Sequence, residues 1–251
     1  MGDIERIKIL DVPVDMVDYD SALARFEELM EREGCDMIVT PNSEILVNAT
    51  KDPQLKKLIE EAALIIPDGI GLVKAAKILK LPLYERCTGV DFLNHILGSL
   101  EKSGKSIFLL GSKPENEERA SVADLAADAM KKVYPNLKVA GTNDGYFKAE
   151  DEPALVRKIN ESGADFLCVA LGSPKQEKFI YSHAAEFTSV RAAIGVGGTL
   201  DVWAGTVKRA PEFWQKHSLE WLYRFLKEPV RFKRVLQLPV FMLKVMASKG
   251  K

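Results

Sequence analysis

Cysteine and histidine are scarce: the 251 residues hold three of each. Cys35, Cys87 and Cys168 are an odd number at wide, irregular spacing, which fits neither a disulfide framework nor a zinc site. Cys168, inside Phe166-Leu167-Cys168-Val169-Ala170, reads as a buried strand thiol, because free cysteine packs as a small hydrophobe. His95, His183 and His217 lie far apart without ligand spacing, so no metal is expected. Long apolar runs are missing as well. No segment approaches the ~20 apolar residues that cross a bilayer, and Leu238 to Met246 is short and interrupted by Lys244. Met1 to Arg6 has no basic region leading into an apolar one, so it does not read as a secretory signal. These absences point to a reduced, cytosolic protein. Neither G-x-x-x-x-G-K-[ST] nor G-x-G-x-x-G occurs, which argues against a P-loop nucleotide hydrolase and a nicotinamide enzyme. No cofactor is expected.

Net charge is also small, −1 from 35 basic and 36 acidic residues. That excludes a protein whose whole surface grips nucleic acid. The neutrality conceals two unlike parts. Residues 202–251 hold 11 Lys and Arg against 3 Asp and Glu, a balance of +8, and all three tryptophans. Residues 1–201 hold 24 against 33, a balance of −9.

What is abundant is alternation of short apolar runs and helical patterns. Strands are expected at Met37–Thr40, Leu64–Ile66, Ile107–Leu110, Leu137–Ala140, Phe166–Leu171 and Ala192–Val196. Most lack polar alternation, as strands covered on both faces do. Helical patterns lie at Ser43–Asn48, Gln54–Ala63, Ile70–Leu79, Val90–Leu100, Glu115–Val133, Pro153–Ser162 and Lys175–Ala184. Another spans Ser21–Arg32 with Asp20 as its N-cap. Ile7–Val14 reads as an edge strand or hairpin. The fold class is therefore α/β: a Rossmann-like parallel sheet flanked by helices, with a basic, aromatic helical appendage. The expected division is a core at residues 1–204 and an appendage at residues 205–251.

In such a sheet, ligands gather outside the carboxyl ends of the strands. The turns there are Thr40-Pro41-Asn42-Ser43, Pro67-Asp68-Gly69, Gly111-Ser112-Lys113-Pro114, Gly172-Ser173-Pro174-Lys175-Gln176 and Gly195-Val196-Gly197-Gly198-Thr199. Several open onto helix N-termini, whose free N–H groups suit phosphate. Five at one sheet edge describe a nucleotide-sized site. Asp68 follows an apolar strand and reads either as a general base at the cleft or as the cap of the next helix. Thr40 and Asn42 stand beside it as hydrogen-bonding groups, and Asn42 or Ser43 serves equally as a helix cap. Gly197 and Gly198 either make a tight turn or allow close backbone approach to a ligand. Asp18-Tyr19-Asp20 reads as turn and cap, not as a metal-binding D-x-D. Arg86 is either a surface arginine or an anion ligand. In the tail, Arg224, Lys227, Arg231 and Arg234 cluster on one helical face, with Trp214, Trp221, Phe225 and Phe232 as aromatic anchors. That tail suits packing on the core or on another copy of the chain, anionic lipid head groups, or a diphosphate gripped bidentately.

Taken together, Thr40-Pro41-Asn42, Pro67-Asp68-Gly69, Arg86–Asp91, Leu171–Glu177, Gly195–Gly198, Trp203–Pro211 and Glu220–Arg234 give the chain its family likeness. It resembles the WecG/TagA/CpsF glycosyltransferases from about Ile7 to Arg234. The resemblance implies inverting, metal-independent transfer of N-acetylmannosamine from UDP-ManNAc to undecaprenyl-diphosphate-linked GlcNAc, forming a β-1,4 linkage in teichoic acid linkage-unit synthesis. A related UDP-sugar transferase of another surface polysaccharide, or a non-catalytic nucleotide- or lipid-binding protein, is the alternative. By the same resemblance Asp68 is the general base, Thr40 and Arg86 are expected to be catalytic beside it, and Thr40, Asn42, Arg86 and Gln176 line the pocket. Ser112, Gly172, Gly197 and Gly198 are expected to bind substrate. Arg224, Arg231 and Arg234 are expected to hold the diphosphate or lipid. The expected partners are a UDP-sugar, a polyprenyl-diphosphate acceptor and the inner face of the plasma membrane, with homo-oligomers possible and nucleic acid excluded.

Overall fold

The computed structural model describes residues 4–83, 87–116, 119–216, 220–227 and 237–249. The chain begins with a hairpin, β1 (Arg6–Ile9) and β2 (Val12–Asp15), which forms its own two-stranded sheet. The main sheet has six parallel strands: β3 (Asp36–Val39), β4 (Leu64–Ile65), β5 (Ser106–Gly111), β6 (Lys138–Asn143), β7 (Phe166–Ala170) and β8 (Ala192–Gly195). Their spatial order is β4-β3-β8-β7-β5-β6. The chain runs outward from β3 to β4 on one side and from β5 to β6 on the other, then returns through β7 and β8 to fill the middle. Reversals of this kind leave a crevice at the carboxyl edge.

All six expected strands form, each within two residues at its N-terminus and three at its C-terminus of the expected span. Alternate strand residues feed two separate cores. Met37, Val39, Ile65, Phe108, Leu110, Leu167, Val169 and Ala193 face one layer. That layer holds α2 (Ser43–Ala49), α3 (Pro53–Glu60), α4 (Ile70–Leu79), α7 (Glu152–Glu161) and α8 (Lys175–His183). Ile38, Leu64, Ile107, Leu109, Phe166, Cys168 and Ile194 face the other, with α1 (Tyr19–Leu29), α5 (Gly89–Ser103), α6 (Val122–Val133) and α9 (Thr199–Trp203). Cys168 is fully buried, and desolvation pushes its thiol pKa up.

Most helices start within one residue of expectation, and two depart further. Helix α1 is capped by Asp18, not Asp20: the Asp18 carboxylate accepts from Ser21 N at 2.8 Å and Ser21 Oγ accepts from Asp18 N at 3.0 Å. This reciprocal capping box outcompetes a single later cap. Helix α6 begins at Val122, not Glu115, because Ser121 accepts from Asp124 N, while Asn116 and Arg119 close a small bridge upstream.

The hairpin seals the β4 edge through one buried carboxylate. Asp15 Oδ2 accepts from Ile65 N at 2.7 Å, and Oδ1 from Arg6 Nε at 2.6 Å. Desolvation outweighs the hydrogen bonds and Arg6, so the Asp15 pKa is raised. Both of its oxygens are engaged, one by the Ile65 N–H and the other by the Arg6 guanidinium. Asp15→Ala should cost about 2 kcal/mol by orphaning the Ile65 N–H. Asp15→Asn, which keeps an acceptor, should cost less than half of that; denaturant midpoints for the pair measure the difference.

Beyond α9 come α10 (Glu212–Lys216), α11 (Glu220–Lys227) and α12 (Gln237–Ser248). The Trp214 and Tyr223 rings lie 5.7 Å apart and join α10 to α11. Phe241 and Val245 of α12 are fully buried in the first core, against α2 and α4. The opposite side of α12 leaves Val240, Leu243 and Met246 exposed.

Candidate functional site

The carboxyl ends of β4, β3, β8 and β7 build the site. Asp68 stands just past β4, partly exposed, its N–H donating to Pro41 O at 3.1 Å. The helix-cap reading of Asp68 gives way, because Gly69 occupies the N-cap of α4 and no side chain bonds there. Asn42 does cap α2, accepting from Ile45 N at 3.0 Å. Asn42 therefore serves the fold, and its Cβ lies 3.9 Å from where a side chain on Gly69 would begin.

Thr40 is 9% exposed at the end of β3 and donates its hydroxyl to Gly195 O on β8 at 3.2 Å. A Cβ added to Gly89 would sit 3.5 Å from Thr40 Oγ1 and 3.8 Å from Asp68 Oδ2. The hydroxyl, the carboxylate and the first turn of the 15-residue α5 thus meet in one corner. The positive end of that helix favours negative charge there. Gly89 was not among the expected site residues; its signal was the Thr88-Gly89 pair opening a helix. Thr88 caps α5 by accepting from Asp91 N at 3.1 Å, while its own N–H donates to Tyr19 Oη at 2.9 Å.

Gln176 enters from α8, 3% exposed. Its Oε1 accepts from Gly197 N at 3.0 Å and its Nε2 donates to Glu177 Oε1 at 2.9 Å. The amide lies so close over β8 that a Cβ on Gly195 would fall 2.5 Å from Nε2, so only glycine fits. Gly197, at φ +53°, has open space where a side chain would be, as do Gly172 and Gly198. These positions line the open side of the crevice. Ser112 stands further along the same edge, and its hydroxyl donates to Asp201 Oδ2 on α9 at 3.0 Å. The structure thus brings Thr40, Asp68, Gln176 and Gly197 into one continuous arrangement and leaves Ser112 tied to α9. Arg86, Arg231 and Arg234 lie outside the described residues, and Arg224 falls within α11.

A second constellation links the appendage to this corner. Arg209 NH1 and NH2 each donate to the Asp91 carboxylate, on Oδ1 and Oδ2, at 2.7 Å. Glu220 Oε1 lies 3.8 Å from Arg209 Nε. Hydrogen bonding to Asp91 leads the effects that raise the Arg209 pKa. Arg209 belongs to a motif noted in sequence without a role, and Asp91 received none.

At its far end α8 is held by His183, whose Nδ1 meets Glu186 Oε1 at 2.8 Å and whose Nε2 meets Glu152 Oε2 at 3.0 Å. Desolvation works against protonation, but the two carboxylates outweigh it and the pKa is raised. The pair therefore stabilises the fold fully below the ordinary value of 6.5, and that contribution is lost as pH rises through the higher folded value. Tm should fall from pH 6 upward by more in the native protein than in His183→Gln, as measured by thermal melts across pH 6 to 9.

Among the described residues, no group of three or more His, Cys, Asp or Glu is placed to hold a metal ion. No helix among them is long and apolar enough to cross a membrane.

Comparison with known proteins places these features in company. The model of the glycosyl transferase WecG/TagA/CpsF family matches residues 7–251. The chain is similar to a protein of Bacillus spizizenii named N-acetylglucosaminyldiphosphoundecaprenol N-acetyl-beta-D-mannosaminyltransferase, at 35% identity over 93% of this chain and 90% of the relative. A Bacillus subtilis protein of the same name is 35% identical over 92% and 88%. One from Staphylococcus aureus is 38% identical over 85% and 81%.

Proposed function

Since the chain belongs to the glycosyl transferase WecG/TagA/CpsF family, we propose that it transfers N-acetylmannosamine from UDP-ManNAc to undecaprenyl-diphosphate-linked GlcNAc. The observation that carries the reading is the corner where Asp68, Thr40 and the N-terminus of α5 converge at the carboxyl edge of the sheet. The relatives' shared name supplies the acceptor and the sugar.

The chemistry follows from what these groups do. An inverting transfer needs a base on the face of the sugar opposite the leaving UDP. Asp68 takes the proton from the attacking GlcNAc hydroxyl as the new bond to the anomeric carbon forms. UDP departs with the bonding electron pair, and charge grows on its diphosphate. Helix N-termini at the edge and the arginines Arg86, Arg224, Arg231 and Arg234 are the groups proposed to receive that charge. Thr40 and the Gln176–Gly197 pair hold the floor on which the donor lies, with Asn42, Gly172, Gly198 and Ser112 around it.

A lipid-linked acceptor brings the enzyme to the membrane surface. The tail's balance of +8 and the exposed Phe213, Trp221, Leu226, Leu243 and Met246 support contact with anionic lipid. The inner face of the plasma membrane is the proposed location, with residues 205–251 as the attaching part. Burial of Phe241 and Val245 against α2 and α4 means that this part also completes the core. Cutting at Gly205 would expose those apolar faces, so substitution is the better probe. Leu243→Lys with Met246→Lys should lower the fraction sedimenting with phosphatidylglycerol vesicles at least severalfold; unchanged sedimentation would remove the membrane role from this helix. Binding of UDP alone, measured by calorimetry, separates the reading from a scaffold that holds no nucleotide.

A further inference from the structure

Two polar atoms beside the crevice are buried without a hydrogen-bond partner: Glu177 Oε2 and Ser173 Oγ. Glu177 is 3% exposed, in the first turn of α8. Its other oxygen accepts from Gln176 Nε2 at 2.9 Å, and Gln176 in turn accepts from Gly197 N at 3.0 Å. A glutamine amide can be turned end for end at little steric cost, so its orientation is set by its partners. The Gly197 N–H, which can only donate, takes the carbonyl oxygen, and the carboxyl of Glu177 secures the other end. An oxygen that only accepts faces the Gln176 amide, so the NH2 must point to Glu177 and the carbonyl oxygen to Gly197.

We propose that Glu177 is a positioning residue for the donor site, acting through Gln176 to fix the Gly195–Gly198 turn. The proposal rests on the transferase reading for what that turn binds, but the ordering of the turn stands apart from it. The chain of contacts is continuous: Glu177 sets the Gln176 amide, the amide holds the Gly197 N–H, and the same amide lies against Gly195, whose carbonyl receives the Thr40 hydroxyl.

The group works as the neutral acid. Among the described residues no cation meets Oε2 and no well-aligned hydrogen bond reaches it, the Ser173 hydroxyl beside it helping only weakly; a buried carboxylate so poorly paired is costly. Desolvation is the leading effect and raises the Glu177 pKa despite hydrogen bonding from Gln176, from its own backbone N–H and, most weakly, from the Ser173 hydroxyl. As the acid, Glu177 carries an O–H on the Ser173 side, so a small rotation satisfies both orphaned atoms. An amide at position 177 reproduces this pattern with an acceptor toward Gln176 and N–H groups toward Ser173. A methionine fills the same volume with neither.

The experiment compares Glu177→Gln and Glu177→Met, alone and with Gln176→Ala, using UDP as the titrated ligand and amide hydrogen exchange at Gly197. Glu177→Gln should keep UDP affinity and Gly197 protection within about twofold of the native protein. Glu177→Met should weaken UDP about tenfold and speed exchange at Gly197 by a similar factor. With Gln176→Ala already present, Glu177→Met should add nothing further. Loss of affinity and protection in Glu177→Gln would overturn the proposal, since charge would then be required. Native exchange in Glu177→Met, or a full additional loss on top of Gln176→Ala, would overturn it equally. If the native protein binds no UDP, the transferase reading fails, and the exchange at Gly197 alone decides the positioning role.

Discussion

Asp68→Asn folds like the native protein and turns over about 10²–10⁴-fold more slowly. The substitution keeps size and leaves hydrogen-bonding atoms in place, but an amide oxygen cannot accept a proton from the attacking hydroxyl. The structure makes this prediction sharper than sequence could. Asp68 has no capping duty on α4, because Gly69 holds the cap position. A fall in activity can therefore not be ascribed to a lost helix start. Thermal melts should agree within about 1 °C while product formation falls. Donor affinity should change little, because the lost interaction belongs to the step in which the proton moves. Native-like turnover in Asp68→Asn would remove the base assignment altogether.

Arg209→Gln should be the next most damaging change. The two hydrogen bonds from Arg209 to Asp91 are parallel and charge-assisted, the strongest arrangement available to these side chains. Both side chains are about one-quarter to one-third exposed, 26% and 33%, so solvent screens them only in part. Asp91 also accepts from the Thr88 hydroxyl at 2.6 Å, and Thr88 caps α5 immediately before Gly89. Loss of the guanidinium therefore reaches two places: the start of the appendage and the helix turn beneath Thr40 and Asp68. The stability cost should be about 2–3 kcal/mol, below the range for a fully buried pair broken on one side. Activity should drop more than tenfold at temperatures where the variant is fully folded. Lysine at 209 preserves charge but not the two-pronged geometry and should recover only part of the loss. Denaturation curves and steady-state rates on Arg209→Gln, Arg209→Lys and Asp91→Asn measure both effects. An equal loss in stability with full activity would reduce the pair to a structural tie.

The layered fold was legible because its strands are short apolar runs buried on both faces, a pattern with few competing readings. Helix starts were harder. At α1, Asp18 and Asp20 are both good caps in sequence, and only the reciprocal bond with Ser21 selects the first. At α6, Glu115 to Arg119 has helix-favouring composition, yet the Ser121–Asp124 cap restarts the chain later. Of the candidate site, sequence shows which residues follow the strands, and the structure does gather Thr40, Asp68 and, from the start of α8, Gln176 at one sheet edge. The site was not legible where partners come together over long separations. Arg209 and Asp91 are 118 positions apart, and nothing in either local pattern points to the other. Glu177 was visible only as the residue after Gln176. Its importance depends on burial and on an oxygen without a partner, which no linear pattern displays. The uneven charge was the most useful compositional sign. It separated an acidic core from a basic tail whose α12 nevertheless packs into that core.

The central claim is tested most directly by a transfer assay with purified full-length protein, a panel of UDP-sugars and a lipid-diphosphate-GlcNAc analogue in vesicles. The account predicts that UDP-ManNAc alone gives rapid formation of a ManNAc-β-1,4-GlcNAc product, with one UDP released for each sugar transferred and with Asp68→Asn slowed about 10²–10⁴-fold. Rapid transfer from a different UDP-sugar with UDP-ManNAc inert, or no transfer from any donor, would contradict it.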